Sequence, residues 1–143
     1  MVYTGQDEYR IDPSRRVMLP GRWRSEEKEF WAVPWPIGKR DCLMVVPAPR
    51  FQKTLDALSG KSLSDTKALA VQRVIGGTAQ KLRLDSAGRM LIPESLTNAV
   101  GIKSEALFVG MMDKFEIWDP KRHLEVSKAD EAIAAEAVGA MEL

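Results

Sequence analysis

Apolar and polar positions along this chain change period several times, and each change marks an element. Gln80 to Leu84 and Arg89 to Ile92 read as short strands on either side of Asp85-Ser86-Ala87-Gly88. That tetrapeptide predicts a type I turn: Asp at the first position bonds its own backbone, and Gly at the fourth takes the left-handed conformation of a three-residue hairpin loop. Past Pro93, the stretch Glu94 to Gly101 predicts a short helix with Pro near its start and Gly at its end. Ala106 to Gly110 and Lys114 to Trp118 read as two more strands. The middle of the chain switches to helical spacing. One helix is predicted from about Pro49 to Leu58, stopping at Ser59-Gly60, and a second from a Ser64-Asp65 cap to Ile75, before Gly76-Gly77. Trp31-Ala32-Val33-Pro34-Trp35-Pro36 reads as a protruding loop. Ser127 to Leu143, rich in Ala and Glu, reads as helical or frayed.

A duplication organises these elements. Arg10 to Pro20 matches Arg83 to Pro93, with Asp12 on Asp85, Arg16 on Arg89 and Pro20 on Pro93 at a constant offset of 73 residues. Asp41 to Val46 matches Asp113 to Trp118 at an offset of 72, in the same order. Two copies are too few for an extended solenoid, so the halves are expected to pack on each other about a pseudo-twofold axis and share one core. The first copy carries Pro13 at the second turn position, where its fixed φ fits, and Arg15 where the second carries Gly88. Shared geometry would put Arg15 at a positive φ, at a cost of about 1 kcal/mol. The expected class is α+β: two pseudo-repeated β units, with helices between and after them. The division is residues 6–50 for the first unit, 51–78 for a helical linker, 79–122 for the second unit and 123–143 for an acidic, helical tail.

Composition narrows the function classes. The net charge is +1, but residues Ser127 to Leu143 hold −3 of it and the rest of the chain +4, a mild asymmetry that a solvated acidic tail explains. No apolar run is long enough to span a bilayer, and no basic flank precedes an apolar segment near Met1, so neither a membrane span nor a signal peptide is expected. Cys42 is the only cysteine, which excludes an internal disulfide and suits a reducing cytoplasm. His123 is the only histidine. Without Cys/His spacing or a nucleophile–base arrangement, no metal, cofactor or catalytic role is expected. Cys42 is expected in a core strand. Trp23, Trp31, Trp35 and Trp118 are expected to pack in the core or an interface. The weak net charge and apolar edges around Val109 and Phe115 favour self-association.

Arg10, Arg15, Arg16, Arg22 and Arg24 crowd fifteen residues. An Arg just after a tight turn projects from a β-ribbon. Such a ribbon enters a DNA major groove, where the guanidinium forks onto guanine O6 and N7. On the residues alone, Asp12 with Arg16 is equally well a turn residue and a surface cation.

Several stretches, in order, carry a resemblance. They are Tyr3-Thr4-Gly5; Asp12-x-x-x-Arg16 leading into Leu19-Pro20-x-Arg22-Trp23-Arg24; and Val71-Gln72-Arg73 before Gly77. Then come Asp85-x-x-Gly88-Arg89-Met90-Leu91-Ile92, Val109-Gly110 and Lys114-Phe115-Glu116-Ile117-Trp118. From Tyr3 to about Arg122 the chain resembles the MraZ family, whose halves each have an AbrB-type swapped-hairpin fold forming a barrel-like core. The resemblance implies a bacterial, cytoplasmic and nucleoid-associated transcription regulator of the division and cell-wall gene cluster. It would act on double-stranded DNA as a ring-like homo-oligomer. It places DNA contact on Arg16 and Arg89; Arg15, Arg22 and Arg24 of the arginine cluster are expected to bind DNA beside them, with Asp12, Asp85 and Gly88 supporting the motif. Arg15 departs from the usual Gly, and Thr97 stands where Arg24 has its counterpart, which implies a less basic second half. The competing reading is an AbrB-like protein-interaction module such as an antitoxin. The duplicated unit and short tail disfavour it.

Overall fold

A computed structural model describes all residues from Met1 to Leu143. Eight strands and four α-helices follow one another: β1 (Gln6–Arg10), β2 (Arg16–Met18), β3 (Glu29–Trp35), β4 (Cys42–Pro47), α1 (Ala48–Ser59), α2 (Thr66–Thr78), β5 (Gln80–Arg83), β6 (Arg89–Leu91), α3 (Glu94–Ala99), β7 (Glu105–Met111), β8 (Lys114–Trp118) and α4 (Pro120–Ala140). A single 3-10 turn, Gly21–Trp23, occupies the place in the first half that α3 holds in the second.

Six strands form one antiparallel sheet in the order β1-β7-β8-β4-β3-β5, and β2 pairs with β6 in a separate ribbon. Exchanging each strand for its repeat counterpart and reading the order backwards returns the same order. β1 joins the hairpin β7–β8 of the other half, and β5 joins the hairpin β3–β4. β4 against β8, and β2 against β6, are pairs between equivalent strands. Each half therefore completes the other, and neither ladder set stands alone. No ladder links β1 to β5, so the large sheet keeps two edges.

The main core comprises 20 buried residues drawn from both halves. Side chains facing it alternate along the strands, as period-two burial requires. Phe30 and Ala32 on β3 correspond to Ala106 and Phe108 on β7. The bulky and small positions are thus exchanged between the halves, and all four are fully buried. Phe115 is also fully buried, on an inner strand against Tyr3, Trp23, Phe30 and Phe108. It is not at an apolar edge, contrary to the sequence expectation, because β8 lies between β7 and β4.

A second expectation fails at Trp31 to Pro36, which is strand through Trp35 and not a protruding loop. β5 covers β3 only as far as Ala32. At Pro34 the strand has a ladder partner on one side alone, so a residue without an N–H is tolerated there. Trp31 points to the outer face and stacks on Phe51 of α1 with ring centroids 5.3 Å apart. Around that pair, Val33, Val46 and Ile75 close a smaller cluster beneath α1 and α2. Asp65 caps α2 as its sequence position predicts, accepting from the Ala68 N–H at 3.0 Å. α4 begins at Pro120, earlier than the tail composition indicates, because Asp119 caps it through the Arg122 N–H. No residue of α4 is buried.

Candidate nucleic-acid interface

The two turns that precede β2 and β6 are built alike. The Asp12 N–H donates to the Arg16 carbonyl, and Asp85 does the same with Arg89, at 2.9 and 2.8 Å. The fourth turn residue donates back to the Asp carbonyl in each case, Arg15 at 2.9 Å and Gly88 at 3.0 Å. Both fourth residues are left-handed, with φ of 68° at Arg15 and 80° at Gly88. The conformation predicted for Gly88 thus recurs at Arg15 in spite of its side chain.

Each Asp side chain also ties its turn to the strand that follows. Asp12 Oδ1 accepts from the Ser14 hydroxyl at 2.6 Å and the Arg16 N–H at 2.9 Å. These bonds hold its carboxyl below the ordinary value. Asp85 Oδ1 accepts from the Arg89 and Ala87 N–H groups, both at 2.9 Å, and its carboxyl is likewise held low. The side-chain bonds differ between the halves. Arg89 Nε donates directly to Asp85 Oδ2 at 3.0 Å, whereas Arg16 Nη1 donates to Ser14 Oγ at 3.1 Å. Ala87 stands where Ser14 does, so the second half has no intermediate hydroxyl.

On the β2–β6 ribbon, Val17 faces Met90 across the ladder and both are buried. Alternation puts Arg16, Met18, Arg89 and Leu91 on the opposite, outward face. Arg16 pairs with Leu91 and Arg89 with Met18, so the two arginines are diagonal neighbours, about 7–8 Å apart by ordinary strand geometry. Leu91 is 45% exposed, an apolar side chain between two cations.

The other arginines expected at the site separate. Arg24 extends its guanidinium over the second turn: a Cβ at residue 88 would stand 2.5 Å from Arg24 Nε. The first half thus supplies a cation to the second half's turn, which offsets the deficit expected from Thr97. Arg15 is half-buried and turns inward, where its Nη2 donates to Thr97 Oγ1 and its Nε to the Ile92 carbonyl at 3.3 Å. Arg22 faces β1 and the residues before it. It pairs with Asp7, donates to the Thr4 carbonyl at 3.3 Å and lies 5.4 Å over the Trp23 ring. The ribbon therefore gathers Arg16, Arg89 and Arg24, while Arg15 and Arg22 are engaged within the fold.

Two ion pairs escaped the sequence reading although the 72-residue offset could have found them. Arg50 near the start of α1 donates to Asp113 at 2.8 Å, and Arg122 near the start of α4 donates to Asp41 at 3.0 and 2.5 Å. Arg50 and Arg122 are repeat counterparts, as are Asp41 and Asp113, so each pair crosses between the halves. Arg50 and then Lys114 pull the Asp113 carboxyl down to about 2. His123 packs edge-on against Trp118. Cys42 is buried at the start of β4, and burial pushes its thiol up. No three His, Cys, Asp or Glu side chains converge on a point where a metal ion would fit, and no helix is long and apolar enough to cross a membrane.

A family model described as "MraZ protein, putative antitoxin-like" matches residues 75–140. A protein of Treponema denticola named transcriptional regulator MraZ is 32% identical over 140 residues, covering 95% of this chain and 96% of its own. Proteins of the same name from Finegoldia magna and Serratia proteamaculans are 34% and 30% identical, covering 80% and 90% of this chain and 78% and 87% of theirs. With 32% identity over 95% of its length to one such protein, the chain belongs to the MraZ family.

Proposed function

We propose that this protein is a sequence-specific DNA-binding transcription regulator whose reading surface is the outward face of the β2–β6 ribbon. The observation that carries this reading is the placement of Arg16 and Arg89 side by side after two matched turns. The same chain is similar over nearly its full length to proteins named transcriptional regulators. A two-stranded ribbon fits a major groove about 12 Å wide, and each arginine forks onto one guanine. Their separation of about 7–8 Å spans about two base-pair steps at 3.4 Å each. Arg24 adds a phosphate contact beside the second turn. Leu91 and Met18 supply apolar surface for a thymine methyl. Asp12, Asp85 and Gly88 set the turns, and Arg15 and Arg22 hold the elements behind them. The working unit is the pair of β units, residues 6–50 and 79–122, wrapped as an open, barrel-like sheet around one shared core. Residues 51–78 and 123–143 lie outside the reading face.

The ribbon of one subunit offers three arginines, Arg16, Arg24 and Arg89, so several subunits must act together, since avidity raises affinity without new contacts. A ring-like homo-oligomer suits the sheet. α1 and α2 cover the outer face over β3–β4, but no second helix folds back over β7 and α4. Met111, Met112, Leu124 and Ile133 are exposed there. The proposed target is double-stranded DNA carrying short guanine-containing direct repeats in the division and cell-wall gene cluster, read in the cytoplasm at the nucleoid without a cofactor or catalytic step. A gel-shift assay with the DNA upstream of the protein's own gene tests this. A retarded complex that resists unrelated competitor DNA is expected. No shift, together with tight capture of a protein partner that hides the ribbon, would favour an antitoxin-like interaction module.

A further inference from the structure

The left-handed turn residues Arg15 and Gly88 occupy equivalent stations. The Leu19 N–H donates to the Gly88 carbonyl at 3.0 Å, and the Ile92 N–H donates to the Arg15 carbonyl at 2.9 Å. Each turn is thereby docked on the other half, ahead of residue 24 in one case and residue 97 in the other. These four positions are related by the same offset of 73 residues. At the second turn the station holds Gly88 from one half and the Arg24 guanidinium from the other, packed where a Cβ would go. At the first turn it holds Arg15 and Thr97, and Thr97 is fully buried. One guanidinium fills each station, but it comes from the docking segment in one and from the turn in the other.

We propose that Arg15 with Thr97 replaces the arrangement of Gly88 with Arg24, and that Arg15 is a positioning residue that locks the first turn onto α3. The left-handed φ of Arg15 works against a side chain, and its bonds to Thr97 and Ile92 offset that strain. The Thr97 hydroxyl is satisfied on both sides, donating to the Glu94 carbonyl at 3.1 Å while accepting from Arg15. An arginine at residue 97 would bring a second guanidinium into a station already filled. A glycine at residue 15 would remove the strain but take away the donor to the buried Thr97 oxygen, leaving that hydroxyl only its bond to the Glu94 carbonyl. The two positions are therefore coupled, and the coupling fixes the angle at which Arg16 leaves the turn. This last step rests on the DNA-reading role of the ribbon; the lock itself does not.

A double-mutant cycle decides it. Thermal unfolding is followed for the parent, Arg15→Gly, Thr97→Arg and the Arg15→Gly/Thr97→Arg double variant. The single Thr97→Arg is expected to melt below the parent, and the double variant to regain most of that loss. A double variant that melts no higher than Thr97→Arg overturns the exchange. If Thr97→Arg does not fold, Thr97→Val completes the cycle. Its melting loss should be larger in the parent, where Arg15 is present, than in the Arg15→Gly background, and equal losses overturn the proposal. The Arg15→Gly/Thr97→Arg variant is also titrated against duplex DNA from upstream of the gene. Affinity within about threefold of the parent is expected, since a lost base contact would cost about fivefold or more. A tenfold loss in a variant that melts like the parent makes Arg15 a DNA contact and rejects the positioning role. A parent protein that binds no DNA rejects the proposed function, while the melting cycle still decides the lock.

Discussion

Asp12 and Asp85 each accept two hydrogen bonds on Oδ1 at the head of a turn, and each is a weaker base in the folded chain than in an unfolded one. A depressed folded value stabilises the fold above the ordinary carboxylate range, and the contribution is lost as pH falls through the folded value. Asp113, held near 2, acts in the same direction. Stability is therefore expected to be level on their account from neutral pH down to about 5, and to fall below about 4. Urea melts between about pH 2 and 7 check this, and Asp85→Asn should flatten the acid limb. In the proposed function, the arginines that follow the turns read the DNA. Arg16→Ala and Arg89→Ala are each expected to cost about 1–3 kcal/mol of DNA binding with unchanged circular dichroism. Arg89 must exchange Asp85 Oδ2 for a base, whereas Arg16 leaves only a serine hydroxyl. Of this chemistry, the turns and their Asp-x-x-x-Arg spacing were legible in the sequence, because they are local. The engagement of Arg15 by Thr97 was not, because it joins residues 82 apart through a docking that only the exchanged halves create.

The ion pairs at the starts of α1 and α4 show how burial sets the value of one contact made twice. Asp41 is 6% exposed, so Arg122→Ala would leave a buried acceptor short of its partner, at about 1–3 kcal/mol. Asp113 is exposed, so Arg50→Ala should cost at most about 1 kcal/mol. Chemical denaturation of the two variants checks the difference. The strands and helices of the second half stood out in the sequence because turn, proline and glycine signals bracket them. β3 did not, because Pro34 and Pro36 carry the signature of a loop, and only the short reach of β5 makes Pro34 harmless. The exchange of bulk between Phe30–Ala32 and Ala106–Phe108 was equally hidden, since each half taken alone looks poorly packed at one of those positions. Gly110 is a further close approach: a Cβ there would stand 2.5 Å from the Tyr3 carbonyl oxygen. Gly110→Ala is expected to destabilise by about 1–3 kcal/mol, as overpacking against backbone does.

Across the whole molecule, a strand order unchanged by exchanging the halves makes one indivisible core with one ribbon at the pseudo-axis. On the proposed reading, such a subunit has a single DNA-reading face, and a ring of subunits would present many such faces in the same sense. Neighbouring faces meet equivalent groove only where sites repeat with the helix, so direct repeats about 10 bp apart are expected. Inserting about 5 bp should weaken binding more than inserting a full turn of about 10 bp. Affinity should also fall steeply with salt as several subunits release counterions together. Light scattering at micromolar concentration should show an assembly larger than a dimer. The most direct test of the ribbon as the reading surface is fluorescence anisotropy of a labelled duplex from upstream of the gene. It is titrated with the parent and with an Arg16→Ala/Arg89→Ala double variant at one fixed salt concentration. A loss of at least about thirtyfold, with the melting curve and assembly size unchanged, is the predicted result, being two base contacts at about 1 kcal/mol or more each. Affinity equal to the parent's in a folded, assembled double variant would contradict it.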